Sequence, residues 1–159
     1  MKLIKFFISI TSILSIVACS SSVVKVGPDG SHWRLQSFLD DGLQETVKVY
    51  NYCYKGKQSS FVPARDFEKG SHSVVAHVIK QFHSVDSKPL DAFATLDGRF
   101  ESGKTYVFQN AIEDNKAKVW IANAETGEAV TSKEMVKLTV PDVVDNKQYQ
   151  NRRCSASTL

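Results

Sequence analysis

The stretch that most narrows what this chain can fold into is Ser71 to Phe82, twelve residues in which apolar and other side chains alternate with a period of two. Val74, Ala76, Val78 and Phe82 fall on one face, and Ser73, Val75, His77, Ile79 and Gln81 on the other. A segment of that period is a strand, and apolar residues on both faces mark it as central, with each face at least partly covered. Shorter alternating segments surround it. Thr46 to Tyr54 sets Val47, Val49, Asn51 and Cys53 against Lys48, Tyr50, Tyr52 and Tyr54. Leu90 to Leu96, Thr105 to Asn110 and Ala117 to Ala122 continue the pattern, and no long segment of period 3.6 interrupts it. The reading is an all-β chain, a small antiparallel β-sandwich.

Turn chemistry punctuates these strands. Pro28-Asp29-Gly30, Asp40-Asp41-Gly42, Lys55-Gly56-Lys57, Asp97-Gly98, Glu113-Asp114-Asn115-Lys116 and Ala124-Glu125-Thr126-Gly127 read as turns or hairpin tips. His32 to Phe38 is a first short strand with Trp33 and Leu35 on one face. Ser59 to Pro63 is an edge strand, and Ala64 to Lys69 a connection to Gly70. Thr131 to Leu138 admits one turn of helix, but Val136, Leu138 and Val140 alternate, and a last strand ending at Pro141 is the preferred reading.

The N-terminus has a different grammar. Lys2 and Lys5 precede an apolar run, Phe6 to Val17, that ends at small residues and a cysteine, the pattern of a secretory signal. The run falls short of the roughly 20 apolar residues of a spanning helix, and Ser20-Ser21-Ser22 follows it directly. Ile16-Val17-Ala18-Cys19 resembles the lipobox of bacterial lipoproteins. That resemblance implies cleavage before Cys19 and acylation of its thiol and new amine, several acyl chains then holding the protein at a membrane. Ser20 after the lipidated cysteine is similar to lipoproteins forwarded to the outer membrane, where the resemblance places the chain, with its periplasmic or surface face left open. The expected organisation is a signal peptide over 1–18, lipidated Cys19 and a flexible tether over 19–31, a β-sandwich over 32–141 and a polar tail over 142–159.

Loss of Lys2 and Lys5 takes the basic residues from 20 to 18 against 17 acidic ones, a formal +1. A nearly neutral exported domain without a basic stripe argues against nucleic acid. Its length suits one domain. With Cys19 assigned to lipid, Cys53 and Cys154 remain as a pair in an oxidising compartment, where a disulfide is expected; two free thiols and a metal pair are the alternatives. A bridge would close a loop of 101 residues (154 minus 53). In the chain-entropy picture that is worth at most about 4 to 5 kcal/mol, and it would pin the polar tail.

Candidate chemistry is sparse. His72 falls on the opposite strand face from His77 and His83, and the latter two are six residues apart, roughly 20 Å along a strand, too far to share an ion. No nucleophile elbow, phosphate loop, HExxH or CxxC is present, and the carboxylate pairs Asp40-Asp41 and Glu113-Asp114 sit in turns. The expectation is no catalytic residue, no metal and no cofactor beyond the lipid on Cys19. Tyr50, Tyr52 and Tyr54 form an outer row that offers a candidate binding surface, or else rings pairing across strands.

Gly70-Ser71-His72-Ser73-Val74, Phe100-Glu101-Ser102-Gly103-Lys104-Thr105-Tyr106, Val119-Trp120-Ile121 and Glu125-Thr126-Gly127-Glu128-Ala129-Val130 resemble a recurrent set in small bacterial lipoproteins and periplasmic proteins. The resemblance covers Gly70 to Val130 and implies a transthyretin-like or immunoglobulin-like sandwich without a catalytic motif; Ala122-Asn123 stands where many relatives carry an acidic residue. It implies a lipid-anchored, non-enzymatic binding or envelope-accessory module with the membrane, and a protein of the envelope, as partners. Val49-Tyr50-Asn51-Tyr52-Cys53 is also similar to the strand carrying the first cysteine in membrane-bound lysozyme inhibitors, which makes an inhibitor of a host hydrolase the alternative. A surface adhesin is a third. Oligomeric state is left open.

Overall fold

In the computed structural model, residues 30–84, 86–141 and 147–159 are described. The expected signal peptide, Cys19 and nearly all of the expected tether lie outside these residues, as do positions 142–146 of the tail. The strands are β1 (His32–Gln36), β2 (Phe38–Asp41), β3 (Glu45–Asn51), β4 (Cys53–Tyr54), β5 (Lys57–Gln58), β6 (Ala64–Glu68), β7 (Gly70–Phe82), β8 (Leu90–Phe100), β9 (Thr105–Glu113), β10 (Lys116–Asn123) and β11 (Glu134–Lys137), followed by helix α1 (Lys147–Cys154).

The strands form the expected sandwich. One sheet has the order β11-β10-β9-β1-β6, the other β2-β3-β7-β8, and β4-β5 is a small separate hairpin. Pairing is antiparallel except where β1 runs parallel to β9. Ser37 alone separates β1 from β2, and there the chain passes from one sheet to the other. Its N–H and Oγ–H, donating to the carbonyls of Pro63 and Val62, hold that corner. On the opposite side, bridges Asp91↔Thr139 and Gly98↔Thr131 tie β8 to the segments flanking β11.

Between the sheets lies a core of β1, β3, β7, β8, β9 and β10 side chains. Trp33, with no exposed surface, stacks on Phe100 at 4.1 Å and meets the edge of Tyr106 at 5.6 Å. Its indole N–H donates to the Glu68 carbonyl at 2.7 Å, so burial leaves no orphaned donor. The alternation of Ser71 to Phe82 places Val74, Ala76 and Val78 in this core.

Several local expectations are revised. Residues 59–63 are not a strand, and Ala64–Glu68, expected as a connection, is an edge strand paired with β1. Its charged residues are what an unprotected edge carries, and Asp66 accepts two hydrogen bonds from Arg34 across the pair. Asp97-Gly98 is no turn: β8 runs through it. Gly98 is there for space, since a Cβ would lie 2.9 Å from both Phe100 Cζ and Thr131 Cγ2. Lys55-Gly56 is a turn as expected, both residues having positive φ (51° and 71°) between β4 and β5. The tail holds a helix that a search for period 3.6 passes over, because its eight residues are nearly all polar.

Candidate functional site

Strands β3, β7 and β8 turn a second face away from the core. Across it, Tyr50, His77 and Phe93 stand directly opposite one another in register, and Asp91 lies two residues before Phe93 on the same face of β8. The Tyr50 hydroxyl and His77 Nδ1 are 2.9 Å apart, as are His77 Nε2 and Asp91 Oδ2. A carboxylate only accepts, so Nε2–H donates to Asp91 and the phenol donates to Nδ1. Phe93 stacks flat on the imidazole at 4.2 Å, and Tyr52 meets both rings edge-on.

The tail covers part of this face. Cys154, the last residue of α1, is bridged to Cys53 with a Cα–Cα distance of 5.4 Å, and the bridge is buried with Tyr52 and Val75. Beyond it the chain docks again: Thr158 N–H donates to the Ser73 carbonyl at 3.0 Å, Lys55 N–H donates to the Leu159 carbonyl at 2.8 Å, and Leu159 packs at the core margin. Eight residues make a marginal helix in isolation. Here Gln, Lys and Arg are adequate helix formers, Arg152 and Arg153 suit its C-terminal end, and the disulfide fixes that end in place.

Between sheet and helix lies a cleft of about 410 Å³. Its floor is Tyr52, His77, Asp91 and Phe93; its walls are Gln58, the segment Thr139-Val140-Pro141, and Tyr149, Gln150 and Arg153 of the helix. Mutual hydrogen bonds between the backbones of Asp91 and Thr139 attach one wall to the floor. Tyr149 and Arg153, four apart, share a helix face. The Arg153 guanidinium lies 3.6 Å from the Phe93 ring centre and 4.6 Å from that of Tyr149. A guanidinium held over aromatic rings can still direct N–H groups at an acceptor.

Burial sets the protonation states. His77 and Asp91 side chains are 11% and 17% exposed. Desolvation lowers the His77 pKa below the ordinary imidazole value, outweighing the hydrogen bond and charge of Asp91, which raise it. At neutral pH the contact is therefore a hydrogen bond from neutral imidazole to carboxylate rather than an ion pair. Burial pushes the Tyr50 phenol up to about 12 and raises Tyr52 too, with Arg153 pulling the latter back. Both nitrogens of His77 are engaged within the floor, so among the described residues Asp91 and Arg153 are the charged groups that line the cleft.

The tyrosine row is corrected in exposure. Tyr50 and Tyr52 do share the outer face, but they are 7% and 2% exposed: Tyr52 is buried in the cluster with the Cys53–Cys154 bridge, and Tyr50 packs against Phe61 and His77. Tyr54 belongs to neither: past Tyr52 the chain leaves the sheet, and its ring packs against Phe67 beneath Arg65. Cys53 is buried, as its alternation implied, but in the outer cluster rather than between the sheets. His72 and His83 lie apart from the site, hydrogen-bonded to Glu68 O and Thr158 and to Leu43 O and Thr46 respectively. Among the described residues no three His, Cys, Asp or Glu side chains converge on a metal-sized space, and no helix is long and apolar enough to cross a membrane.

Asp91, Phe93, Tyr149 and Arg153 escaped the reading of the sequence. The signals were there: Asp91 and Phe93 are the odd positions of a strand judged on Ala92 and Ala94, and Tyr149 and Arg153 are the i,i+4 pair of a tail judged on polarity. No family model, curated protein or solved structure matches the chain.

Proposed function

We propose that this chain is a lipid-anchored lipoprotein of the bacterial outer membrane, a non-enzymatic β-sandwich that holds a small ligand in the cleft between its second sheet and its C-terminal helix. The anchor rests on Ile16-Val17-Ala18-Cys19, and kinship with transthyretin-like or immunoglobulin-like lipoproteins rests on the segments between Gly70 and Val130. The observation that carries the binding function is the cleft itself. A floor with aromatic rings, Tyr149 in the wall and a few convergent polar groups, in a hollow within the usual size range, are the makings of a ligand site. The test is a screen of sugars, amino acids, short peptides and organic acids by amide chemical shifts of the purified, disulfide-intact domain. The expected result is a compound that shifts Phe93, Tyr149, Gln150 and Arg153 together. A screen in which nothing perturbs these residues would sink the reading.

A second reading has one observation in its favour. Cys53, at the end of the strand similar to that of lysozyme inhibitors, is bridged to a late cysteine. Inhibition of lysozyme in a turbidity assay by the purified domain is the outcome this reading requires.

A further inference from the structure

The cleft sets an arginine and a carboxylate in one hollow with aromatic surface between them, and this narrows what it can hold. No ion pair joins Arg153 to a carboxylate among the described residues, and the Tyr52 phenol is the polar group that bears on it. The guanidinium lies over the Phe93 ring and near that of Tyr149, contacts that restrict its motion and reduce the entropy lost when its N–H fork is used. A guanidinium so placed matches a two-oxygen acceptor. Asp91 is also held in position, one oxygen committed to His77 Nε2–H and its backbone paired with Thr139. What Asp91 can still offer is an acceptor. Asp91 opposes a bare anion, and so does the C-terminal end of α1, where the Arg153 guanidinium alone supplies the attraction; an acidic group therefore gains only by direct contact with Arg153, and the Asp91 end favours a donor.

The geometry points to a site for a small carboxylate-bearing molecule: its acid grips Arg153, its flat body lies against Tyr149 and the edge of Phe93, and a hydroxyl or ammonium at its other end donates to Asp91. This rests on the cleft being a ligand seat, and it names the chemistry of the occupant. Aromatic acids and acidic sugars both have this chemistry, and the test separates them.

The probes are 4-hydroxyphenylacetate, its neutral amide 4-hydroxyphenylacetamide, phenylacetate without the donor hydroxyl, and the pair glucuronate and glucose. Binding is read by chemical-shift titration of the oxidised domain. At least one acid of the two kinds should bind about tenfold more tightly than its neutral counterpart, the loss expected for a charge-assisted hydrogen-bond pair. If the aromatic acid is the one that binds, phenylacetate should bind more weakly than the hydroxylated acid. Arg153→Gln should abolish the preference for acid over neutral probe, and Arg153→Lys should keep part of it, because a point charge remains without the planar fork. Both variants are checked for an intact disulfide by thiol counting, so that a detached helix is not mistaken for a lost contact. Equal binding of acid and neutral probes, no binding of either acid, or an acid preference that survives Arg153→Gln overturns the inference. A neutral compound found in the broader screen would leave the ligand seat standing while removing the acid, so the two ideas fail separately.

Discussion

His77 is an imidazole enclosed by a phenol, a carboxylate and a phenyl ring, and its protonation links the outer face of the sheet to pH. Because burial lowers its pKa in the folded state, the unfolded chain binds the proton first as the pH falls. The stabilising contribution is present above the unfolded value, near pH 6.5, and is lost as the pH drops through the folded one. Thermal unfolding followed at several pH values should show the melting temperature declining below about pH 6.5. In His77→Gln that part of the decline should disappear, while the absolute stability falls because Tyr50 and Asp91 lose a buried partner. A variant with the same pH profile as the parent would mean that His77 does not titrate with folding.

Two elements carry constraints that a single substitution can expose. Strand β8 passes Thr131 so closely that Gly98→Ala must displace the Phe100 ring or the Thr131 methyl. Overpacking of this kind costs roughly 1 to 3 kcal/mol, which urea denaturation of the variant should register as an earlier midpoint with an unchanged slope. Helix α1 depends on its bridge. Removing it by Cys53→Ala with Cys154→Ala should lower stability by about 4 to 5 kcal/mol or less, the loop-closure entropy of the bridge, with the Thr158 and Leu159 backbone bonds as the remaining ties of the tail. Hydrogen exchange should show loss of protection concentrated in Lys147–Cys154, with the strands around Trp33 still protected. Uniform loss across the sheets would instead make the bridge part of the cooperative core.

At the scale of the whole molecule, one sandwich carries a tail folded back over one outer face, and the proposed anchor, Cys19, belongs to the other end of the chain. If Cys19 is lipidated, the wild-type protein partitions with membranes and Cys19→Ala is released to the aqueous fraction, a shift read by detergent-phase separation. A Cys19→Ala protein that stays with the membrane fraction would remove the anchor from the proposal. Were Lys2 and Lys5 removed with a signal peptide, the near-neutral remainder would have little electrostatic attraction to a lipid surface, and the proposed acyl chains would have to do the holding.

The sequence by itself determined the all-β class, the central position of Ser71 to Phe82, the Trp33 and Leu35 face of β1 and the Asp114-Asn115 hairpin. It made a Cys53–Cys154 bridge the expectation over free thiols or a metal pair, and the structure shows the bridge. Each is written in local spacing, because a strand's period of two and a turn's need for particular backbone angles act between near neighbours. Only the tertiary structure decided which sheet each strand joins, that β1 lies parallel to β9, and that Gly98 marks close approach rather than a turn. The site belongs to that second kind. Alternation put Tyr50 and Tyr52 on the outer face, but whether an outer face meets water depends on what folds over it. A polar helix more than fifty residues beyond Asp91 and Phe93 does so because a disulfide holds it there, not because its own hydrophobicity drives it.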